Sequence, residues 1–253
     1  MRAFRSAVAL VAALALPLPP ARADEAADLR VDTWRAAGTT VGALVLGGIV
    51  AANWKNDDCE ICGTNSFDEH ARDALKWSHP ADAQHASDVI AKVAIPTLAA
   101  VDAWRSTSSW GNFGRDVLVV AEAAALTDLT TTVAKSGFGR LRPGLPATPG
   151  QGSGAYHSLW SGHSSLAFSI VVAQATQDTM RGDPAAPWVW AVGLTLATSV
   201  AYFRVAGDAH WLTDVLAGAA VGSAFGVGVP LLEKRLVRGV TIAPAPGGFA
   251  LRF

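Results

Sequence analysis

The chain has 253 residues, of which 51% are hydrophobic and 16% are charged, and its formal net charge is −1. This length fits one domain of ordinary size or two small ones, and the low charged fraction excludes a disordered or highly charged tail protein. A near-neutral charge also argues against nucleic acid as the main partner, because binding to a phosphate backbone requires a basic face. The composition leaves a globular or a membrane-embedded protein.

The first 23 residues predict a signal peptide. Two arginines precede an apolar run over residues 6–18, and a small-x-small cleavage site ends at Ala23. We expect the mature chain to begin near Asp24, outside the cytoplasm. An uncleaved anchoring helix is the alternative, although the run is short for a membrane span.

The two cysteines, Cys59 and Cys62, are predicted to form a local disulfide. An exported chain folds in an oxidising compartment, where neighbouring thiols tend to pair. A redox-active pair and a zinc site remain as weaker alternatives. The nearby histidines do not follow at zinc-finger spacing, and no metal site is expected.

Beyond the signal, the sequence predicts an all-α fold, a bundle of about six core helices with a short C-terminal hairpin. Such a bundle could be embedded in a membrane. Turn-rich loops separate the helices, and no alternating strand pattern occurs before the last dozen residues. The predicted helices cover residues 36–54, 67–77, 86–104, 115–135, 162–179, 186–204 and 211–236. The predicted organisation is a signal peptide at 1–23, a helical domain at 24–239 and a hairpin or tail at 240–253.

Three charge-free stretches are long enough to span a membrane: residues 36–54, 184–203 and 215–232. The same helices would also suit a compact soluble bundle, so the sequence leaves both open, and we expect an exported bundle that associates with a membrane. Charged residues in the other helices are costly against lipid and are expected to face the protein interior. These residues are Lys92, Asp102, Glu122 and Asp128.

A long Gly/Pro-rich interruption over residues 136–161 predicts a functional loop. Lys135 closes the preceding helix, and Arg142 stands just before Pro143, which stiffens the loop. Two fixed cations at this separation suit an anion with several oxygens, although cations near a helix C-terminus are also favoured without a ligand. Arg140 is a further cation nearby, which we expect to be solvated.

A second cluster, Ser161-Gly162-His163, opens an apolar helix. Ser161 suits the N-cap, Gly162 lets an anion approach closely, and the helix dipole favours negative charge there. The alternative is that Ser161 only caps the helix and that the neighbouring histidine has no functional role.

A third cluster joins His210 and Asp214, which lie four residues apart at the start of a helix and so share one face. Asp214 is predicted to accept the proton of one ring nitrogen, which leaves the other nitrogen as a nucleophile or base. Arg204 adds a third cation.

Together these clusters resemble the signature of the type 2 phosphatidic acid phosphatase (PAP2) superfamily, which also contains vanadium haloperoxidases. The signature reads Lys-x6-Arg-Pro, then Pro-Ser-Gly-His, then Ser-Arg-x5-His-x3-Asp, and it matches residues 135–143, 160–163 and 203–214. The core spacings all agree within a motif core at 115–232. Trp160 replaces the usual Pro, and Phe203 replaces a frequent Ser.

The resemblance implies metal-independent hydrolysis of phosphate monoesters through a phosphohistidine. His210 would attack phosphorus, Asp214 would orient it, and His163 would protonate the leaving oxygen and then activate water. The resemblance assigns phosphate binding to a ring of donors: Lys135, Arg142, Ser161, the Gly162 N–H and Arg204. No cofactor is implied.

The substrate class stays open among phosphatidate, other lipid phosphates, isoprenyl diphosphates and soluble monoesters. A vanadate-dependent haloperoxidase, with vanadate as its cofactor, and a non-catalytic protein that binds a phosphate or lipid headgroup are the alternatives. We expect membrane association, no nucleic acid, and a site that faces the periplasm. A cleaved signal followed by six simple spans would put the motif loops in the cytoplasm. A periplasmic site therefore conflicts with a cleaved signal if the bundle has six simple spans.

Overall fold

The structure, a computed structural model, describes residues 31–54, 59–146, 152–237, 241–245 and 248–252, and the predicted signal peptide lies outside them. The all-α prediction is confirmed for the described residues. The helices are α1 (Thr33–Asn53), α2 (Ser66–Leu75), α3 (Pro80–Val89), α4 (Ile95–Ser106), α5 (Trp110–Phe138), α6 (Ser153–Tyr156), α7 (Gly162–Arg181), α8 (Ala186–Ala206) and α9 (Leu212–Val237). A C-terminal hairpin follows, in which β1 (Thr241–Ala245) pairs antiparallel with β2 (Gly248–Arg252).

Several helix ends differ from the prediction, and two of them have a clear local reason. The third predicted helix starts earlier than expected, at Pro80, because proline fits the first turn of a helix, where no N–H donor is needed. A π-helical turn at Ile90–Ala94 then joins α3 to α4. Helix α5 continues to Phe138 and stops at Gly139, which adopts a left-handed φ of 51°.

Helix α7 forms the centre of the bundle and packs most closely against α9. Gly218, Gly222 and Gly226 of α9 face α7, and a Cβ on Gly222 would lie only 2.1 Å from the carbonyl oxygen of Ser165. Small residues at four-residue spacing let two helix backbones approach each other in this way. We call this contact the glycine seam, and it fixes α9 against α7.

Three helix ends, the starts of α7 and α9 and the end of α5, meet at one end of the bundle, which we call the site end. The first residues of α7 and α9 lie side by side, because the Ser161 N–H donates to the Asp214 carbonyl at 3.1 Å. The last turn of α5 reaches them, since the Lys135 Nζ lies 3.6 Å from the position that a Gly162 Cβ would occupy. At the opposite, distal end, Arg105 at the end of α4 pairs with Asp183 between α7 and α8.

Of the four charged residues predicted to face the interior, Asp102 and Glu122 are buried and Asp128 is half-buried. Asp102 is 5% exposed and Glu122 is 2% exposed, and Glu122 shares Arg35 with a second buried carboxylate, Glu233. Lys92 is different: its side chain is 61% exposed and pairs with Asp88. The prediction that Lys92 faces the interior was wrong, because this residue lies at the surface beside the site end.

Within the described residues, four helices are long and apolar enough to cross a membrane: Thr33–Asn53, Trp110–Phe138, Ala186–Ala206 and Leu212–Glu233. Helix α1 directs a row of large apolar side chains outward, including Val41, Leu44 and Leu46, each more than half exposed. A surface of this kind suits lipid better than water. The apolar helices therefore support membrane association.

Candidate active site

The three predicted clusters meet at the site end. Lys135 lies beside the first turn of α7, and the charges of Arg142, Lys135 and Arg204 all act on the His210 ring. The cations come from the end of α5, the loop after it and the end of α8. The fold thus places three cations of the predicted set around one buried histidine.

The loop after α5 holds Arg142 by its backbone neighbours. The Arg142 Nε donates to the Gly154 carbonyl at 2.9 Å, and its Nη1 donates to the Ala209 carbonyl at 2.8 Å. Burial lowers the pKa of Arg142 from its ordinary value. These bonds tie the loop to α6 and to the turn that carries His210.

The start of α7 has the predicted cap. The Ser161 Oγ accepts a hydrogen bond from the Ser164 N–H at 3.4 Å, and Ser161 is fully buried. The Lys135 Nζ lies beside the first turn of the helix, 3.6 Å from the position that a Gly162 Cβ would occupy. The combination of a helix N-terminus and a cation favours an anion at this place.

His210 is held in one tautomer by a backbone carbonyl. Its Nδ1 donates to the Ser158 carbonyl at 2.8 Å, which leaves Nε2 with its lone pair. Burial, together with the neighbouring cations Arg142, Lys135 and Arg204, lowers the pKa of His210 to about 3, although Asp214 opposes this shift. The ring is therefore neutral, and able to act as a nucleophile, at pH 7.

Asp214 does not accept the His210 proton, in contrast to the sequence prediction. The Asp214 Oδ2 lies 3.7 Å from Nδ1 and accepts instead from the Ser158 Oγ at 2.5 Å and from the Trp211 N–H at 3.0 Å. Asp214 thus fixes the residue whose carbonyl holds the imidazole. Its effect on ring orientation passes through Ser158.

Arg140 is buried, so the prediction that it is solvated was wrong. It is 6% exposed and forms ion pairs with two fully buried carboxylates, Asp214 and Asp68. The bond from the Arg140 Nη2 to the Asp68 Oδ2 is 2.7 Å long. Asp68 also accepts from the Thr213 N–H at 2.8 Å. Helix α2 is thereby fixed against the start of α9.

The segment before α2 also supports the motif loop. The Leu141 N–H donates to the Ile61 carbonyl at 3.2 Å, and the Glu60 N–H donates to the Gly139 carbonyl at 3.1 Å. Cys59 and Cys62 form a disulfide across this segment. The pair that the sequence left without a role therefore lies directly against the loop of Arg140 and Arg142.

His163 faces a carboxylate that the sequence analysis missed. The His163 Nε2 lies 2.7 Å from the Asp88 Oδ1, and Asp88 also lies 3.1 Å from the Lys92 Nζ and 3.8 Å from the Arg204 Nη1. Burial and the charge of Arg204 lower the pKa of His163 to about 4, while Asp88 opposes the shift. His163 is therefore neutral at pH 7 before any substrate binds.

Comparison with known proteins agrees with the motif geometry. The sequence profile of the PAP2 superfamily matches residues 116–238. The matched stretch holds all three motif clusters, so this part of the chain is PAP2-like. A lipid A 1-phosphatase of Porphyromonas gingivalis is 34% identical over 118 residues, which are 46% of this chain and 23% of that protein. The chain thus spans about a quarter of that relative's length.

A solved PAP2 structure shares the fold. The transmembrane PAP2 type phosphatidylglycerolphosphate phosphatase from Bacillus subtilis superposes with a TM-score of 0.52 at 19% sequence identity. The superposition covers 78% of this chain and 96% of the other.

The two letters that depart from the PAP2 signature have their own contacts. The Trp160 Nε1 donates to the Thr131 Oγ1 at 2.7 Å, which anchors the entry to α7 on α5. Phe203 packs edge-on against Trp77, with ring centroids 5.5 Å apart. Asp68 and Asp88 precede the matched PAP2 segment, which explains why the motifs alone do not reveal them.

Proposed function

We propose that this chain is a metal-independent, membrane-associated phosphatase that hydrolyses lipid phosphates through a phosphohistidine on His210. The observation that carries the proposal is the state of His210: buried, neutral, anchored at Nδ1 and surrounded by Lys135, Arg142 and Arg204. A neutral imidazole among cations is suited to attack an anionic phosphorus centre.

In the first step, the His210 Nε2 forms a bond to phosphorus as the ester P–O bond breaks. The three cations and the start of α7 stabilise the charge on the equatorial oxygens. The leaving oxygen takes a proton from His163, and an alcohol departs. In the second step, His163 accepts a proton from water, the water oxygen bonds to phosphorus, and the P–N bond breaks to release inorganic phosphate.

This sequence requires a proton on His163 when substrate is bound. The pKa of about 4 in the free protein results from burial and from Arg204. A bound phosphate with two negative charges opposes Arg204 and favours the imidazolium, and Asp88 acts in the same direction. Substrate binding would therefore favour the protonated form of His163, which is the form that acts as the general acid.

The lipid nature of the substrate is supported by the apolar helices and by the names of the two relatives, a lipid A 1-phosphatase and a phosphatidylglycerolphosphate phosphatase. The catalytic groups lie at the end of the bundle, at the depth of lipid headgroups in a protein that spans a membrane. We place this end on the periplasmic side.

The test is phosphate release by the purified chain in detergent, with a metal chelator present, from phosphatidate and from a soluble aryl phosphate. Release that survives the chelator and disappears in His210→Ala supports the proposal. His79→Ala is the matched control, because His79 is exposed and forms no side-chain cap bond at the start of α3. A higher rate on phosphatidate supports the lipid assignment, and a higher rate on the aryl phosphate contradicts it.

The phosphohistidine itself is tested by trapping. An aryl phosphate with a good leaving group needs little help from a general acid, so His163→Ala should still be phosphorylated and should accumulate an acid-labile phosphoprotein. His210→Ala should show none. Label that persists in His210→Ala would rule out His210 as the nucleophile.

A further inference from the structure

A cavity lies far from His210, between α4, α7 and α8, in the distal half of the bundle. Its volume is about 400 Å³, and its walls are mainly apolar side chains such as Leu98, Val192 and Trp188. Asp102, Arg105 and Gln174 form its polar part. Gln174 follows His163 by eleven residues in α7, about 16 Å along the helix axis. The cavity is therefore separate from the catalytic groups.

The polar part of this cavity lacks a hydrogen-bond donor. Gln174 is 2% exposed, and its Nε2 donates to the Asp102 Oδ2 at 2.8 Å. Its Oε1 has no hydrogen-bond partner within the part of the chain that the structure describes. A buried acceptor without a donor is unfavourable, and native proteins rarely leave one so. The Gln174 amide therefore points to a donor that is supplied by another molecule.

The side chains around the polar part of the cavity carry more negative than positive charge. Arg105 donates to both Asp102 and Asp183, so one guanidinium serves two carboxylates. Arg181 contacts Asp178 and Asp116, but burial raises the pKa of Asp178 to about 9, so Asp178 is neutral at pH 7. The excess therefore lies at Arg105, where two carboxylates, Asp102 and Asp183, share one guanidinium. A cationic group would fit this environment, and an anionic group would be repelled.

Exposed apolar side chains line the outer part of the cavity. Leu98 is 38% exposed, and two tryptophans on either side, Trp104 and Trp188, are about half exposed. Tryptophan is typical of the interface between membrane and water. The tryptophans lie near the end of α4 and the start of α8, on the side of the bundle opposite to the catalytic histidines.

We propose that this cavity binds a lipid with an ammonium headgroup, taken from the leaflet opposite the site end. One acyl chain lies along the apolar wall, and an ammonium N–H donates to the Gln174 Oε1. The positive charge offsets the excess of carboxylates. The bound lipid would fasten α4 to α8. The proposal does not depend on phosphatase activity, because it concerns binding at the distal half only.

The test measures lipid retention by native mass spectrometry of the full chain released from non-ionic detergent. The probes are phosphatidylethanolamine, phosphatidylcholine and phosphatidylglycerol with identical acyl chains. Phosphatidylcholine carries the same charges as phosphatidylethanolamine but has no N–H donor. We expect phosphatidylethanolamine to bind about tenfold more tightly than phosphatidylcholine, as one charge-assisted hydrogen bond would give, and phosphatidylglycerol to bind least.

Two variants locate the lipid. Leu98→Trp fills the cavity and should abolish the retention, whereas Leu231→Trp, at a similarly exposed leucine of α9 (43%), should leave it unchanged. Gln174→Leu should remove the preference for phosphatidylethanolamine over phosphatidylcholine. Equal retention of the three lipids, or equal retention by the two tryptophan variants, would overturn the proposal. These outcomes are independent of phosphate release.

Discussion

Arg140 lies between two carboxylates that come from opposite sides of the site, Asp68 in α2 and Asp214 in α9. Neither carboxylate is within hydrogen-bond distance of the His210 ring, yet Asp214 holds Ser158, and the Ser158 carbonyl holds His210. The orientation of the nucleophile thus depends on a chain of contacts that begins at Asp68.

Asp68→Asn tests this chain of contacts. The change removes one of the two charges that compensate a buried guanidinium, and loss of a partner from a buried ion pair costs about 3–5 kcal/mol. We expect a lower unfolding temperature and a kcat reduced about tenfold or more, with little change in KM. Asp73→Asn, at an exposed position of the same helix, is the control. Equal activity of the two variants would show that Asp68 does not position His210.

The pH dependence of stability follows from His210. Its pKa is about 3 in the folded protein and near 6.5 in the unfolded chain, so the unfolded chain binds more protons between these values. The stabilisation is complete above pH 6.5 and is lost as the pH falls toward 3, by up to about 1.4 kcal/mol per pH unit. Thermal unfolding in detergent at pH 7 and pH 4.5 measures this slope.

His210→Asn supplies the comparison, because asparagine can still donate to the Ser158 carbonyl but does not titrate. Its unfolding temperature should fall less between pH 7 and pH 4.5 than that of the parent chain. Identical falls in the two proteins would mean that the neutral state of His210 does not contribute to stability.

The sequence made the motif residues predictable because their spacing is local. Lys135 and Arg142 lie seven residues apart, and His210 and Asp214 lie four apart. The structure puts His210 in the turn just before α9 rather than on the helix as predicted, but the short separation still brings it close to Asp214. The Arg140 contact with Asp68 crosses 72 residues, and no local pattern indicates it. The same holds for Asp88 and His163, which come from different helices.

At the scale of helices, the glycine seam sets the distance between α7 and α9, whose first turns carry the catalytic groups. The glycine spacing in α9 was visible in the sequence as Gly-x-x-x-Gly, but which helix it faces was not. Helix type was predictable from apolar periodicity, and most ends were accurate to a few residues. The π turn at Ile90–Ala94 was not, since it depends on how α3 and α4 pack.

Gly222→Ala tests the seam. The added Cβ would meet the Ser165 carbonyl oxygen at 2.1 Å, so the two helices must separate. We expect a destabilisation of about 1–3 kcal/mol, as for other overpacked cores, and a loss of activity because the starts of α7 and α9 move apart. Gly228→Ala is the control, since a Cβ there meets nothing within 4 Å. If both variants unfold at the parent temperature, the seam is not a close contact.

At the scale of the whole molecule, the two ends of the bundle carry different groups of residues, and a membrane around the bundle would separate these groups. The catalytic residues and α2 lie at the site end, and the turn between α4 and α5 lies at the distal end. In a chain that spans a membrane, these two ends meet different compartments. The apolar helices were predictable from composition, but the side on which the site lies depends on how the chain inserts.

Cysteine labelling in whole cells checks this arrangement. Asp73→Cys places a thiol on exposed α2, and Ser108→Cys places one in the exposed turn between α4 and α5. A maleimide that does not cross membranes should label Asp73→Cys in intact cells and Ser108→Cys only after lysis. The reverse pattern would put the site in the cytoplasm, and labelling of both in intact cells would contradict a spanning bundle.

Asp68, a partner of Arg140, and Asp88, the partner of His163, both precede α5, whereas the reacting groups all follow the start of that helix. The exposed turn at 107–109 is the boundary between these two contributions. A chain split there would yield a front half, 1–107, that carries the compensating charges and a rear half, 108–253, that carries the motifs. When the two halves are co-expressed, the buried ion pairs should hold them together. Phosphate release would then measure the assembly of two separate polypeptides.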